Sequence, residues 1–181
     1  HGTSRRQRQM CIRDRSIGEP KLNADSKVLD ILNKETNSFS NYPPMNAVPE
    51  LSEAYRQYLK NHFGIENVAE DEVCLVAGTR EGTFSIIQAL FNKENVKEKP
   101  YVVMPNPFYQ IYGGATTLAG GEAKFLDCPE EDNFQPGLDS LKSEDWQKCQ
   151  ILVLCSPNNP TGSVLPLGKL KNILDLAEKY D

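Results

Sequence analysis

Residues 101–127 read YVVMPNPFYQIYGGATTLAGGEAKFLD, a strand, a proline-locked loop, a helix and a second strand in succession. Tyr101-Val102-Val103-Met104 is a short apolar run without alternation, the pattern of a strand buried on both faces. Pro105-Asn106-Pro107 ends it, because proline removes a ladder donor and restricts the residue before it. A helix is expected over about 109–118, from the apolar spacing that follows. Gly120-Gly121 stops that helix, and Ala123–Asp127 supplies the next strand. Two strands joined through a helix make a parallel unit.

The same alternation extends in both directions. Residues 73–77 (VCLVA) read as another buried strand, followed by Gly78-Thr79 and a helix over REGTFSIIQALFN with Phe84, Ile87 and Phe91 inward. Residues 150–155 (QILVLC) read as a fourth strand, SPNNPTG as a rigid loop, and LGKLKNILDLAEKY as a helix opened by Pro166. Further upstream, residues 26–35 form a short helix. Residues 50–63 form an amphipathic helix with Leu51, Tyr55, Tyr58, Leu59 and Phe63 on one stripe, stopped by Gly64. Pro43-Pro44 keeps the segment between them non-helical. Strands alternating with helices predict an α/β fold with a largely parallel sheet.

Composition excludes several classes. The chain has 181 residues, 20 Lys+Arg against 25 Asp+Glu, and a net charge of −5. Residues 1–15 hold five Arg and one Asp, net +4, which leaves −9 over 16–181. That opening has no apolar period, contains the string MCIRDR, and reads as a non-native or disordered tail outside the fold. The acidic remainder argues against nucleic acid, and no run approaches the ~20 apolar residues of a membrane span. Five cysteines, at 11, 74, 128, 149 and 155, are scattered without a paired motif, which fits a reducing, cytoplasmic setting. Two histidines, His1 and His62, do not build a metal site, and His62 is a poor base for a serine triad in its polar helical context.

Three strand ends carry unusual loops, and ligands of open α/β sheets bind at such ends. At Gly78-Thr79-Arg80-Glu81 a glycine lets the backbone approach a ligand while the helix N-terminus offers free N–H groups. That suits a phosphate, and equally an ordinary strand-to-helix turn; the nucleotide fingerprints are missing. In PNPFYQIY (105–112) the prolines present aromatics, of which Phe108 suits the core, while Tyr109 and Tyr112 suit either core or a stacked heteroaromatic ring. In SPNNPTG (156–162) an Asn directly before Pro has its amide aimed. Together the three loops suggest a pocket for a phosphorylated aromatic cofactor.

The combination of Tyr42-Pro43-Pro44, Gly78-Thr79-Arg80-Glu81, PNPFYQIY and SPNNPTG resembles the class I/II aminotransferases, fold-type I pyridoxal-phosphate enzymes, over Gly18 to Asp181. NPFYQIY through LAGGEAKFL, with CSPNNPTGSVL and LAEKYD, is most similar to the succinyldiaminopimelate branch of that family. The resemblance implies a three-layer, mostly parallel α/β sheet: a partial large domain over 45–181 preceded by an N-terminal arm and small-domain segment over 16–44. It implies pyridoxal 5'-phosphate, a homodimer, small amino-acid and keto-acid substrates and the cytoplasm. By position, Gly78, Thr79 and Arg80 would cradle the phosphate, and Tyr109 would stack on the ring. Asn159 would bond the ring's phenolic oxygen, Tyr42 would reach the neighbouring subunit's phosphate, and Gly18 would lie near the substrate carboxylate.

The resemblance also places the Schiff-base lysine, the pyridine-nitrogen Asp and the carboxylate-binding Arg beyond the point matching Asp181. No catalytic residue is therefore assigned within these residues, and the sequence reads as an N-terminal fragment, inactive by itself. Lys169, Lys171 and Lys179 fall on a helix face expected to be solvated. Departures from the family pattern are Ala47 for Gly, Ser52 for Arg and Asn158 for Gly. Two alternatives stand beside this reading. One is another fold-type I enzyme, such as an aromatic or alanine aminotransferase or a C–S lyase. The other is a non-catalytic, aminotransferase-like effector-binding domain.

Overall fold

A computed structural model describes residues 22–40, 42, 48–92, 94 and 99–180. The chain divides into two units, residues 1–51 and 52–181. In the first, helix α1 (Ser26–Lys34) is N-capped by Asp25, whose side chain accepts from the Lys27 N–H at 2.8 Å. Such a cap satisfies one of the helix's orphan donors. A 3₁₀ turn, Thr36–Ser40, follows.

Helix α2 (Pro49–Phe63) crosses the boundary between the units. Its predicted apolar stripe is formed, but Leu51, Tyr55, Tyr58 and Phe63 stand about half exposed, and the buried residue is Ser52. His62 is exposed on the same helix, its ring stacked on Tyr58 at 4.3 Å. Gly64 ends the helix with φ +66°, a left-handed conformation that glycine adopts without steric cost.

The second unit holds helix α3 (Thr79–Leu90), strand β1 (Tyr101–Asn106), helix α4 (Ile111–Ala119), strand β2 (Glu122–Asp127), helix α5 (Ser143–Gln147), strand β3 (Cys149–Leu152) and helix α6 (Leu167–Tyr180). The sheet order is β2-β1-β3, and both pairings are parallel. β1 pairs β2 from Tyr101↔Glu122 to Asn106↔Asp127, and pairs β3 through Val102↔Ile151 and Val103↔Leu152.

β1 is the centre of the core because each face of the sheet is covered. Val102 and Met104 face one cluster with Phe91, Tyr112 and Ala119; Val103 faces the other with Leu126 and Trp146. This is the period-two side-chain alternation of a strand, with apolar residues on both sides because both sides are roofed. Helices α3 and α4 therefore lie on one face and α5 and α6 on the other, giving three layers. Val102, Val103 and Met104 are fully buried.

One expected strand is absent. Residues 73–77 join no ladder with any described strand; Val73 and Leu75 are half-buried, while Cys74, Val76 and Ala77 are exposed. Composition is not enough here, because a strand exists through its hydrogen-bonded neighbour. The fourth predicted strand begins at Cys149 and its assigned part ends at Leu152, though the Val153 N–H still donates to Val103 O at 2.8 Å.

Local chemistry sets the remaining boundaries. Gly120 ends α4 in the left-handed region (φ 88°), its N–H donating to Thr116 O and Thr117 O, and the Gly121 N–H closes on Thr116 O at 3.0 Å. This is how a glycine after a helix satisfies the last carbonyls. The Asn92 backbone and the Gln150 side chain exchange two hydrogen bonds, at 2.9 and 2.6 Å, tying the segment after α3 to the start of β3. Gln88 Nε2 donates to Ala115 O at 2.7 Å and locks α3 to α4.

Candidate functional site

Parallel pairing sends the loops after β1 and β3 to the same, carboxyl end of the sheet. With its far end tied to the start of β3, α3 has its N-terminus as the end nearer those loops.

Gly78 is the N-cap of α3, with φ 135° and ψ 157° and no side-chain cap. The first intrahelical bond is Gly82 N–H to Gly78 O at 3.0 Å. The N–H groups of Thr79, Arg80 and Glu81 precede that first bond and face outward from the helix start without intrahelical acceptors. Gly78, Thr79 and Arg80 are all exposed. A Cβ added at Gly78 would stand 3.0 Å from Glu81 Oε2, so the bare glycine keeps the approach to these donors clear. Free donors and a helix dipole fit a phosphate group, with the Glu81 carboxylate standing beside the same helix start.

The loop after β1 runs Pro107-Phe108-Tyr109-Gln110 into α4. Phe108 stacks on Phe125 at 5.3 Å and packs against the core, as its composition suggested. Tyr109 is half-buried, edge-on to Tyr112 at 5.7 Å and 88°. Tyr112 itself is buried. Burial, then the Cys155 thiol through its charge and hydrogen bond, then Tyr109, push the Tyr112 hydroxyl up to about 12. Between the two tyrosines, Tyr109 is thus the one with a face to offer and Tyr112 its support.

The loop after β3 is tied from several directions. Cys155 Sγ donates to Pro157 O at 3.1 Å, and the Leu165 N–H donates to Ser156 Oγ at 3.0 Å. The turn closes through Asn158 N–H to Ser163 O at 2.8 Å and Gly162 N–H to Asn158 O at 2.7 Å, with Gly162 at φ +75°. Gln135 Nε2 donates to Ser163 Oγ at 2.7 Å and to Val164 O at 3.0 Å. The peptide bonds Asn106-Pro107, Ser156-Pro157 and Asn159-Pro160 are cis. Asn159 is exposed, and its neighbour Asn158 is buried.

The structure therefore brings Tyr109 and Asn159 to one end of the sheet, on loops tied to each other, with the Gly78–Arg80 helix start on the same side. Tyr42 lies in the first unit and is fully exposed. Gly18, Pro43, Pro44 and Ala47 lie outside the described residues. Ser52 is fully buried with its Oγ lacking a hydrogen-bond partner. Lys171 and Lys179 are exposed as expected, whereas Lys169 is half-buried.

Three residues that brace these loops carry no motif that marks them as a set. Cys155 meets Tyr112, Gln135 reaches the far side of the SPNNPTG loop from 28 residues away, and Asn158 bridges the two loops. The only available signal was an Asn held between Pro157 and Asn159-Pro160, a polar side chain on a backbone with little freedom.

Comparison with known proteins adds the family context. The family described as aminotransferase class I and II matches residues 16–181. A crystal structure of an aminotransferase from Neisseria meningitidis superposes with a TM-score of 0.83 at 41% identity, covering 91% of this chain and 41% of that one. The aminotransferase AspB from Helicobacter pylori gives 0.80 at 34% identity, covering 91% and 42%. Among curated proteins, the LL-diaminopimelate aminotransferase of Maridesulfovibrio salexigens is 31% identical over 91% of this chain and 42% of its own length. The aspartate aminotransferase of Pyrococcus horikoshii is 28% identical over 91% and 41%. The chain thus spans about two-fifths of the length of these relatives.

Proposed function

The chain belongs to aminotransferase class I and II, and from that membership we propose that the whole protein is a pyridoxal-phosphate-dependent transaminase. It exchanges an amino group between glutamate and an N-acyl-diaminopimelate keto acid, the N-succinyl form in particular, in lysine and diaminopimelate synthesis. One observation carries the cofactor part: an uncapped helix N-terminus at a bare glycine, on the side of the sheet where an aromatic face and an exposed Asn stand on tied loops. The diaminopimelate part is supported by relatives named LL-diaminopimelate aminotransferase.

When bound, pyridoxal phosphate supplies an electron sink that makes bonds at an amino acid's α-carbon breakable. The chain's own residues bind and orient. Backbone N–H groups of Thr79 and Arg80, beside Gly78, hold the phosphate, where the helix dipole favours negative charge. Tyr109 stacks on the ring and excludes water from one face. The Asn159 amide donates to the phenolic oxygen and holds the ring against rotation. A homodimer with Tyr42 directed to the partner's phosphate, Gly18 near the substrate carboxylate, and a cytoplasmic setting belong to the same proposal. So does the organisation into a tail over 1–15, an arm over 16–44 and a large-domain segment over 45–181.

The test is to isolate the full-length product of the source gene and assay it with glutamate against a panel of keto acids. The N-succinyl-diaminopimelate keto acid is expected to have the highest kcat/KM. Preference for oxaloacetate would replace the substrate assignment with an aspartate one. A purified protein that takes up no pyridoxal phosphate would overturn the cofactor assignment and leave a binding module.

A further inference from the structure

Asn158 is one of three buried polar residues among the described ones, with 8% of its surface exposed. Its backbone is fully engaged in closing the 158–163 turn. Its side chain does something separate. Nδ2 donates across to Pro107 O at 3.4 Å, on the loop after β1, and to Thr161 Oγ1 at 3.0 Å, on its own loop. Tyr109 lies two residues beyond Pro107, and Asn159 lies between Asn158 and Thr161. One amide therefore joins the backbone that carries the aromatic face to the backbone that carries the exposed Asn.

The other end of the amide is also informative. Oδ1 is buried and has no hydrogen-bond partner. Asn158 lines a cavity of about 10 Å³ with Pro105, Cys155, Ser163 and Leu165. That space is about the size of one water molecule. A buried amide retained at such a desolvation cost has a constrained orientation. Tyr112, near the start of α4, and Cys155, just before the 156–162 loop, also interact.

We propose that Asn158 is a positioning residue: its amide keys the 105–110 loop to the 156–162 loop and thereby sets where Asn159 stands relative to Tyr109. This rests on the cofactor reading above, since the positioned object is the pyridoxal ring that Tyr109 and Asn159 would hold. Asn158 acts through Asn159 and is not itself expected to touch the ring.

The test uses the full-length protein and pyridoxal phosphate. Three variants are compared with the wild type: N158L, which removes the amide without adding charge; T161V, which removes one of its acceptors; and Q135L, which frees the far side of the same loop. The readouts are the pH titration of the bound cofactor's visible absorbance, the cofactor dissociation constant and the urea midpoint. In N158L the absorbance titration shifts by about half a pH unit and cofactor binding weakens about fivefold to tenfold, as loss of one positioned hydrogen bond implies. T161V shifts the titration in the same direction by less, and Q135L lowers the urea midpoint while leaving the titration in place.

A folded N158L with wild-type absorbance and affinity overturns the proposal. If N158L does not fold, T161V decides in the same way. A shift in Q135L as large as that in N158L also overturns it, because general loosening would then suffice. A wild type that binds no pyridoxal phosphate defeats the cofactor reading first, and the proposal with it.

Discussion

Gly121→Ala adds one methyl group to a place with no room for it. The new Cβ would lie 2.4 Å from Phe91 Cζ, 2.9 Å from Cε2 and 3.1 Å from Cε1. The nearest of these is more than an ångström inside ordinary carbon contact. Phe91 has no easy retreat: it is 9% exposed and packs in the cluster of Val102, Met104, Tyr112 and Ala119. Backbone strain is not the cause, since Gly120 carries the left-handed turn. The cost is overpacking, about 1–3 kcal/mol. With a urea m-value of roughly 2 kcal/mol/M, the midpoint falls by about 1 M at unchanged m. The companion experiment is Phe91→Leu, which opens a gap beside Gly121. Each single change destabilises, but the double variant recovers about 1 kcal/mol relative to the sum, because the two sites share one space. Equilibrium urea unfolding followed by far-UV circular dichroism reads all four proteins. Wild-type stability in Gly121→Ala, or strict additivity in the double variant, would refute the packing argument.

Three further outcomes are expected. Tyr112 titrates near pH 12, above the usual tyrosine value of 10.0, because burial favours the neutral phenol. Its contribution is therefore complete below pH 10 and lost as pH rises toward 12, on the order of 2–3 kcal/mol; difference absorbance near 295 nm between wild type and Tyr112→Phe shows it, and ionisation alongside exposed tyrosines would contradict it. Lys124→Met removes the 3.1 Å pair with Asp145, both partners being half-buried at the edge of the surface, and costs about 0.2–1 kcal/mol at neutral pH. The hydrogen bond from Lys124 holds the Asp145 carboxyl below its usual range, so the stability difference closes as pH falls through that lowered value, measured by melts across the acid range. Gly78→Ala places a side chain at φ +135° and against Glu81 Oε2, costing about 1–3 kcal/mol, and weakens pyridoxal-phosphate binding in the full-length protein; an equilibrium dialysis constant equal to wild type would count against the phosphate cradle.

The legible parts of the fold were those where a local pattern and a tertiary role coincide. Val102-Val103-Met104 could be read as a doubly buried strand because three adjacent apolar residues need cover on two faces, and both covers are present. Gly120 and Gly64 could be read as stops because each takes a left-handed conformation at a helix end. Residues 73–77 are an unalternating apolar run like Tyr101–Met104 and yet pair with no described strand, since pairing depends on a neighbour that composition does not reveal. The aromatic stripe of α2 has the correct period but stands half exposed; period shows which residues share a face, not what covers that face.

The same limit separates two adjacent asparagines. Asn158 and Asn159 carry the same side chain and lie one peptide apart in the same proline-bounded loop; Asn159 alone directly precedes a proline, which restricts its backbone but does not say which amide is buried. The turn ranks them by direction. Its closing bonds fix the backbone at Asn158, whose amide enters the space between the two loops and finds Pro107 O. Asn159 then stands exposed. The asparagine proposed to meet the cofactor is thus the exposed one, and its neighbour is the buried one. Interchanging their roles would require the 158–163 turn to shift by one residue. That shift would break the Asn158–Ser163 and Gly162–Asn158 bonds together and leave the backbone groups of the buried Asn158 unpaired, at a cost of about 1–3 kcal/mol for each. On the reading proposed above, specificity for the cofactor ring would reside as much in the turn's closing bonds as in the Asn159 side chain.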